Sequence, residues 1–95
     1  MTLEQAQATV AEKVHPRVTL ESMKAKIAEV TYLRHKHLTI AVVEMTNGFM
    51  VLGKAAPADP RNYDPQVGER YAYEDAIKQL WHLEGYALCE RLAAA

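Results

Sequence analysis

The chain has 95 residues, of which 49% are hydrophobic and 24% charged, and its formal net charge is −1. This is the balance of one globular domain with no global field to draw it to a DNA or RNA duplex or to anionic lipid. A lone cysteine, Cys89, excludes an internal disulfide. No apolar run reaches the ~20 residues that span a bilayer, and the start "MTLEQAQATV" lacks the basic region of a signal peptide, so a cytoplasmic protein without a membrane partner is expected.

Thr2 to Val14 reads as a first helix. Thr2 and Gln5 have capping-box spacing, and Leu3, Ala6, Val10 and Val14 form one apolar stripe. His15-Pro16 ends it. A second helix is predicted from about Leu20 to Val30, capped by Thr19, with Leu20, Met23, Ile27 and Val30 on its apolar face. Thr31 to Arg34 is β-branched and aromatic and reads as a short strand, and "RHKH" (34–37) as a charged turn.

The stretch "HLTIAVVEMTNGFMVLGKA" reads as a hairpin closed by Asn47-Gly48. A two-residue type I′ turn pairs Thr46 with Phe49, Met45 with Met50, Glu44 with Val51 and Val43 with Leu52. Alternation then puts Thr39, Ala41, Val43, Met45, Met50 and Leu52 on one face, and Leu38, Ile40, Val42, Glu44, Phe49 and Val51 on the other. Neither face suits solvent. Helices of the chain cover one, and a second subunit is the natural cover for the other, with Glu44 near the boundary. A domain of this length buries about two thirds of its unfolded surface, so association adds useful stability.

Residues 55–68 hold Pro57, Pro60 and Pro65 and form a loop. Asp64-Pro65 starts a third helix, with Asp64 as cap and Pro65 at the first helical position. It runs to about His82, and Gly85 predicts a bend followed by a last turn or two. The order α-α-β-β-β-α makes a single α+β domain: a small antiparallel sheet built on the hairpin, two N-terminal helices and a C-terminal helix, assembled as an oligomer.

The residues offer little catalytic chemistry. His35 and His37 have the spacing of two metal ligands, but no third ligand lies nearby and an exposed basic turn explains them. Cys89 and His82 are about 10 Å apart along a helix, too far for a dyad. Glu74 and Lys78 make an ordinary i, i+4 pair. The four glycines are scattered, so no phosphate loop exists. What remains suits binding. "NYD" (62–64) sets an amide and an aromatic at a helix start, where free N–H groups favour an anion. Arg61, Arg70 and Lys78 are expected on or near that end of the helix. Phe49, Tyr63, Tyr71 and Trp81 are able to stack on a base. Trp81 and Tyr73 also suit the core, Asn62 a turn, and Phe49 a subunit interface.

The stretches "VTLESMKAKIAEVTY", "HLTIAVVEMTNGFMVLGKA", "NYDPQVGERYAYEDAIKQLW" and "LEGY" resemble, in order, a family of small tailed-phage and prophage proteins of unknown function. The resemblance covers Val18 to Leu88 and leaves residues 1–17 outside it. That family often has proline where this chain has His82, which agrees with a break after Trp81. The pattern is also similar to phage immune-evasion sponges of the Thoeris anti-defence and anti-CBASS types. That likeness implies a non-enzymatic homo-oligomer, without cofactor or metal, that holds a cyclic oligonucleotide or a cyclic ADP-ribose-type signal at subunit boundaries without cleaving it. It implies Phe49 for stacking, Asn62 for base or ribose hydrogen bonding, and Arg70 and Lys78 for phosphate charge; the residues themselves add Tyr63 and Tyr71 as ligand-facing rings. The alternative is a phage interaction module that inhibits a host protein through the hairpin face.

Overall fold

A computed structural model describes residues 15–95, so the helix expected over Thr2 to Val14 lies outside the described residues. In chain order these form helix α1 (Leu20–Lys24), strands β1 (Ile27–His35), β2 (Leu38–Met45) and β3 (Met50–Ala55), a 3-10 turn (Pro60–Asn62) and helix α2 (Pro65–Ala94). The strands make an antiparallel three-stranded sheet in the order β1-β2-β3, and α2 packs across β2 and β3 on one face. The result is the expected α+β class.

The helix expected over Leu20 to Val30 stops at Lys24. Its start is well made. The Thr19 hydroxyl accepts from the Ser22 N–H at 3.0 Å, and Ser22 Oγ accepts from the Thr19 N–H at 3.0 Å. One buried residue, Met23, anchors the helix. Beyond it the chain enters β1, with Ile27 opposite Met45 and Glu29 opposite Glu44, so Ala28 is an extra residue bulged out of the ladder. The bulge explains the misleading period. It lets Ile27 and Val30, three residues apart, both face the core, as they would on a helix. The predicted strand over Thr31 to Arg34 is therefore the C-terminal half of a longer one, and its turn is tighter than "RHKH". Lys36 sits at φ 54 in the left-handed region, and Arg34 Nε donates to its carbonyl at 2.6 Å.

The hairpin forms where expected, but its register is one residue off. Met45 N–H donates to the Phe49 carbonyl and Gly48 N–H to the Met45 carbonyl, which leaves Thr46, Asn47 and Gly48 as a three-residue loop. A type I′ turn needs positive φ at both central residues, and here only Gly48 has it, at 90°. The Asn47 side-chain oxygen instead accepts from the Phe49 N–H. The slip pairs Glu44 with Met50, Val43 with Val51 and Val42 with Leu52, and so exchanges the faces of β3. Val51 joins Ala41, Val43 and Met45 in the interior, while Met50 and Leu52, expected beside them, are 58% and 57% exposed.

The core between sheet and helices is Met23, Val43, Met45, Val51, Ala76, Ile77 and Leu80, flanked by Val18, Leu20, Ile27, Val30, Tyr73 and Trp81. Helix α2 begins as predicted: the Asp64 carboxylate accepts from the Gln66 and Val67 N–H groups, and Pro65 follows. It is not interrupted at Gly85. The helix continues to Ala94 because one glycine costs only about 1 kcal/mol among strong helix formers such as Leu83, Glu84, Ala87 and Leu88. A Lys26–Glu84 ion pair of 2.8 Å also ties that turn to the loop before β1. Thirty residues make a rod of about 45 Å, which sets the long axis of a 50 × 34 × 18 Å molecule. Side chains of α2 also cover the free edge of β3, where Gln79 donates to the Leu52 carbonyl and Asp75 accepts from the Lys54 N–H.

Thr39 is 2% exposed and its hydroxyl has no hydrogen-bond partner among the described residues. It presses on the first turns of α2, where a Cβ on Gly68 would come within 2.6 Å of Thr39 Oγ1. An unmade buried hydrogen bond is costly, and an apolar group of the same shape avoids that cost. Thr39→Val is therefore expected to raise stability by up to about 1 kcal/mol, read from the urea midpoint at unchanged slope. A loss of comparable size would mean that the hydroxyl has a partner in solution.

Candidate functional site

The ligand-facing residues expected from the sequence fall into three separate places. Phe49 lies at the hairpin tip. It lines a small hollow of about 190 Å³ with Lys26, Asn47, Leu83, Glu84 and Ala87, and continues into a shallower groove beside Leu52 and His82. Lys26 and Glu84 already satisfy each other there, so that hollow offers no spare charge.

Asn62, Tyr63 and Tyr71 share a second hollow of about 300 Å³ with Pro57, Asp64 and Val67. This is the helix start that the sequence marks as an anion site. Its N–H groups are already taken: Asp64 holds those of Gln66 and Val67, and the Asp64 carbonyl holds that of Gly68. The carboxylate brings negative charge into the hollow, and no cationic side chain lines it. Arg34 stacks on the ring of Tyr63 at 4.4 Å from its centroid, which occupies that face of the aromatic. Arg61 turns back to Asp59 with a 2.6 Å contact, and each raises or lowers the other's pKa in the sense of a stable pair: Asp59 is lowered and Arg61 raised.

Arg70 and Lys78 come together elsewhere, in a groove of about 520 Å³ between α1 and α2. The i, i+4 spacing of Leu20 and Lys24 turns both toward it from α1. Tyr73, Ile77 and Trp81 form its floor, and Arg70, Glu74 and Lys78 its rim on α2. Ile77 is buried, and Tyr73 and Trp81 are half-buried, so the floor is fixed by the core beneath it. The rim carries Lys24, Arg70 and Lys78 against one carboxylate. Glu74 accepts from Arg70 Nε at 3.2 Å, while Lys24 and Lys78 have no ion-pair partner among the described residues. At the N-terminal end of α2, burial raises the pKa of Tyr32, and the charges of Glu69 and then Tyr73 add to the effect. Tyr32 thus stays neutral beside Tyr73 through the neutral range. Its contribution to stability holds below the ordinary tyrosine value and is lost as pH climbs through the raised folded value.

The volume lies within the range of small-molecule sites, and the composition is that of one: an apolar, aromatic floor with a few charged groups at its border. It suits a flat ring carrying negative charge. Sequence reasoning reached Arg70 and Lys78, and named Trp81 as able to stack, but it read Tyr73 only as a core residue. It missed Lys24, although the spacing of Leu20 and Lys24 carried the signal, because a helix read through to Val30 spreads its polar residues over a longer solvent face. No group of three or more histidine, cysteine or acidic side chains with metal-binding proximity occurs among the described residues, and no helix among them is long and apolar enough to cross a membrane.

Compared with known proteins, residues 2–92 match the model of a family described as phage protein (N4 Gp49/phage Sf6 gene 66). The matched span takes in most of residues 1–17, which the sequence resemblance leaves aside. No curated protein and no solved structure matches the chain.

Proposed function

Because the chain belongs to the N4 Gp49/phage Sf6 gene 66 family of phage proteins, we propose that it serves a phage as a sponge: it binds a cyclic nucleotide immune signal and withholds it without cleaving it. The observation that carries this reading is the groove between α1 and α2, where Lys24 and Lys78 border a floor of Tyr73, Ile77 and Trp81. The aromatic floor stacks a base, and the lysines meet phosphate. Each stacked ring contributes about 1–3 kcal/mol, and each hydrogen bond to a charged group about 1.5–3 kcal/mol. Two of each in a preformed groove give about 5–12 kcal/mol, a range that brackets the roughly −8 kcal/mol of submicromolar affinity. Sequestration needs that affinity and many copies, and no acceleration of any bond-breaking step.

The test mixes the purified full chain with a panel of cyclic di- and trinucleotides and cyclic ADP-ribose isomers and follows its melting temperature. The bound ligand is then released by heat and identified by mass. The expected result is a rise in Tm with at least one member and return of that member intact. Lys24→Glu and Lys78→Glu are each expected to weaken binding about 10- to 100-fold while leaving the unliganded Tm nearly unchanged. A degraded product would make the protein an enzyme, and no Tm shift with any member would end the reading.

A second reading has its own observation. Leu33, Met50 and Leu52 are exposed on the sheet face away from α2, as a protein-binding module requires. Recovery of one host protein in complex with a chain that binds no nucleotide would favour that reading.

A further inference from the structure

The face of the sheet turned away from α2 is apolar at its centre and charged at its ends. The registers place its residues in rows across the strands: Glu29, Glu44 and Met50; then Thr31, Val42 and Leu52; then Leu33, Ile40 and Lys54; then His35 and Leu38. Leu33 is 53% exposed, Met50 58% and Leu52 57%, while Ile40 and Val42 are half-buried between them. No helix of the described residues covers this face, since α2 and α1 pack on the other.

The charges are arranged unusually. Glu29 and Glu44 stand directly opposite each other on adjacent strands, a like-charge pair that costs stability, and neither has an ion-pair partner among the described residues. The opposite end of the same face carries Lys54 and His35, and the turn beyond it adds Lys36 and His37. One end thus lacks cations and the other supplies Lys54 and Lys36.

We propose that this face is the contact surface for a second copy of the chain, packed sheet on sheet with the strands of the two copies antiparallel. The charge pattern selects both the partner and the direction. Rotation about an axis in the seam and across the strands lays the Glu29–Glu44 end of each copy over the Lys54–His35 end of the other. It closes the Leu33, Val42 and Leu52 patches on one another at the centre. Rotation about an axis along the strands would instead bring the glutamates of both copies to one end. The twist of each sheet sets the two strand directions about 30° apart, and Glu44 on β2 lies over the end of the partner's β2, one strand away from its Lys54. Eight residues of β2 span about 26 Å, and three strands at ~4.8 Å spacing give a narrow face, so the contact belongs to the smaller, concentration-dependent class of interfaces. The groove between α1 and α2 lies on the other side of the sheet, so this dimer is independent of the nucleotide reading.

The test follows the mass of the full chain by sedimentation over a concentration series, without nucleotide. A monomer–dimer equilibrium is expected. Leu52→Glu is expected to raise its dissociation constant at least 10-fold, with unchanged circular dichroism and Tm of the monomer. Glu44→Lys is expected to weaken the dimer, and Glu44→Lys combined with Lys54→Glu to recover most of the loss, because the swap preserves complementarity between copies. A monomer at every concentration would overturn the proposal. If Leu52→Glu also lowered the Tm of that monomer, residues 1–14 of the same chain would be the occupant of the face. A dimer indifferent to both Leu52→Glu and the charge swap would place the seam elsewhere and overturn it equally.

Discussion

Gly53→Ala is expected to cost at least about 3 kcal/mol. A Cβ at this position would overlap the Ala72 carbonyl oxygen and stand 2.9 Å from the Ala76 Cβ. Both alanines are fully buried, and the obstructing atoms include helix backbone, which has no rotamer to change. The helix must lift from the sheet or the strand must sink. Overpacking of a core costs about 1–3 kcal/mol where side chains can yield, and more where they cannot. A domain of this length has only about 5–14 kcal/mol of stability in total, so a change of one methyl group removes a large share of it. The comparison that isolates the cause is Gly85→Ala. Nothing lies within 4 Å of a Cβ there, and the residue is inside α2. Alanine is the better helix former by about 1 kcal/mol, so this substitution is expected to stabilise. Two glycine-to-alanine changes in one small protein thus have opposite signs, and urea denaturation of both distinguishes steric closeness from backbone entropy. Equal effects would mean that the close approach of α2 to β3 is absent in solution.

The same residues show how far the fold is legible in the sequence. Local chemistry that acts within a few positions is readable: the Thr19 and Asp64 caps, Pro65 at the helix start and the Asn47-Gly48 turn all occur where expected. Period alone is not. Leu20, Met23, Ile27 and Val30 have helical spacing, yet two of them belong to a strand whose bulge at Ala28 imitates it. The run "VTY", two β-branched residues and an aromatic, is the contrary signal. The hairpin register turned on whether Asn47 adopts positive φ, a choice made by its side chain bonding to Phe49 N–H, and a one-residue slip then exchanged the faces of a whole strand. The candidate site was legible only in part for the same reason. Arg70, Lys78 and Trp81 lie on one helix and are brought together by its period alone. Lys24 joins them only because α1 ends early and the chain turns back into the sheet. The sequence also reads Gly53 as one of several scattered glycines, since nothing local announces that Ala72 will rest on it.

Met23→Ala is the second change expected to have a large effect, and it connects stability to the groove. α1 has five residues, too few to be helical alone, so tertiary packing must hold it. Its capping box is worth about 1 kcal/mol, and Met23, fully buried among Val43, Met45, Ile77 and Leu80, supplies most of the rest, with Leu20 packed beside the core. Truncating a buried methionine costs about 2–5 kcal/mol, the larger figure applying where the cavity cannot collapse. Here the segment can move instead, so a value near 2–3 kcal/mol is expected, together with faster hydrogen exchange at Met23, Ala25 and Lys26, whose N–H groups bond to Thr19, Glu21 and Met23 carbonyls. Met23→Leu conserves most of the volume and is expected to cost under about 1.5 kcal/mol. The functional consequence follows from geometry. Leu20 and Lys24 form the α1 wall of the groove, so a loosened α1 withdraws a cation and an apolar contact without altering Arg70, Lys78 or Trp81. Whatever anionic ring binds there should lose affinity in Met23→Ala but keep it in Met23→Leu. Full affinity in a Met23→Ala protein whose α1 amides exchange rapidly would show that α2 alone makes the contacts, and would remove α1 from the site.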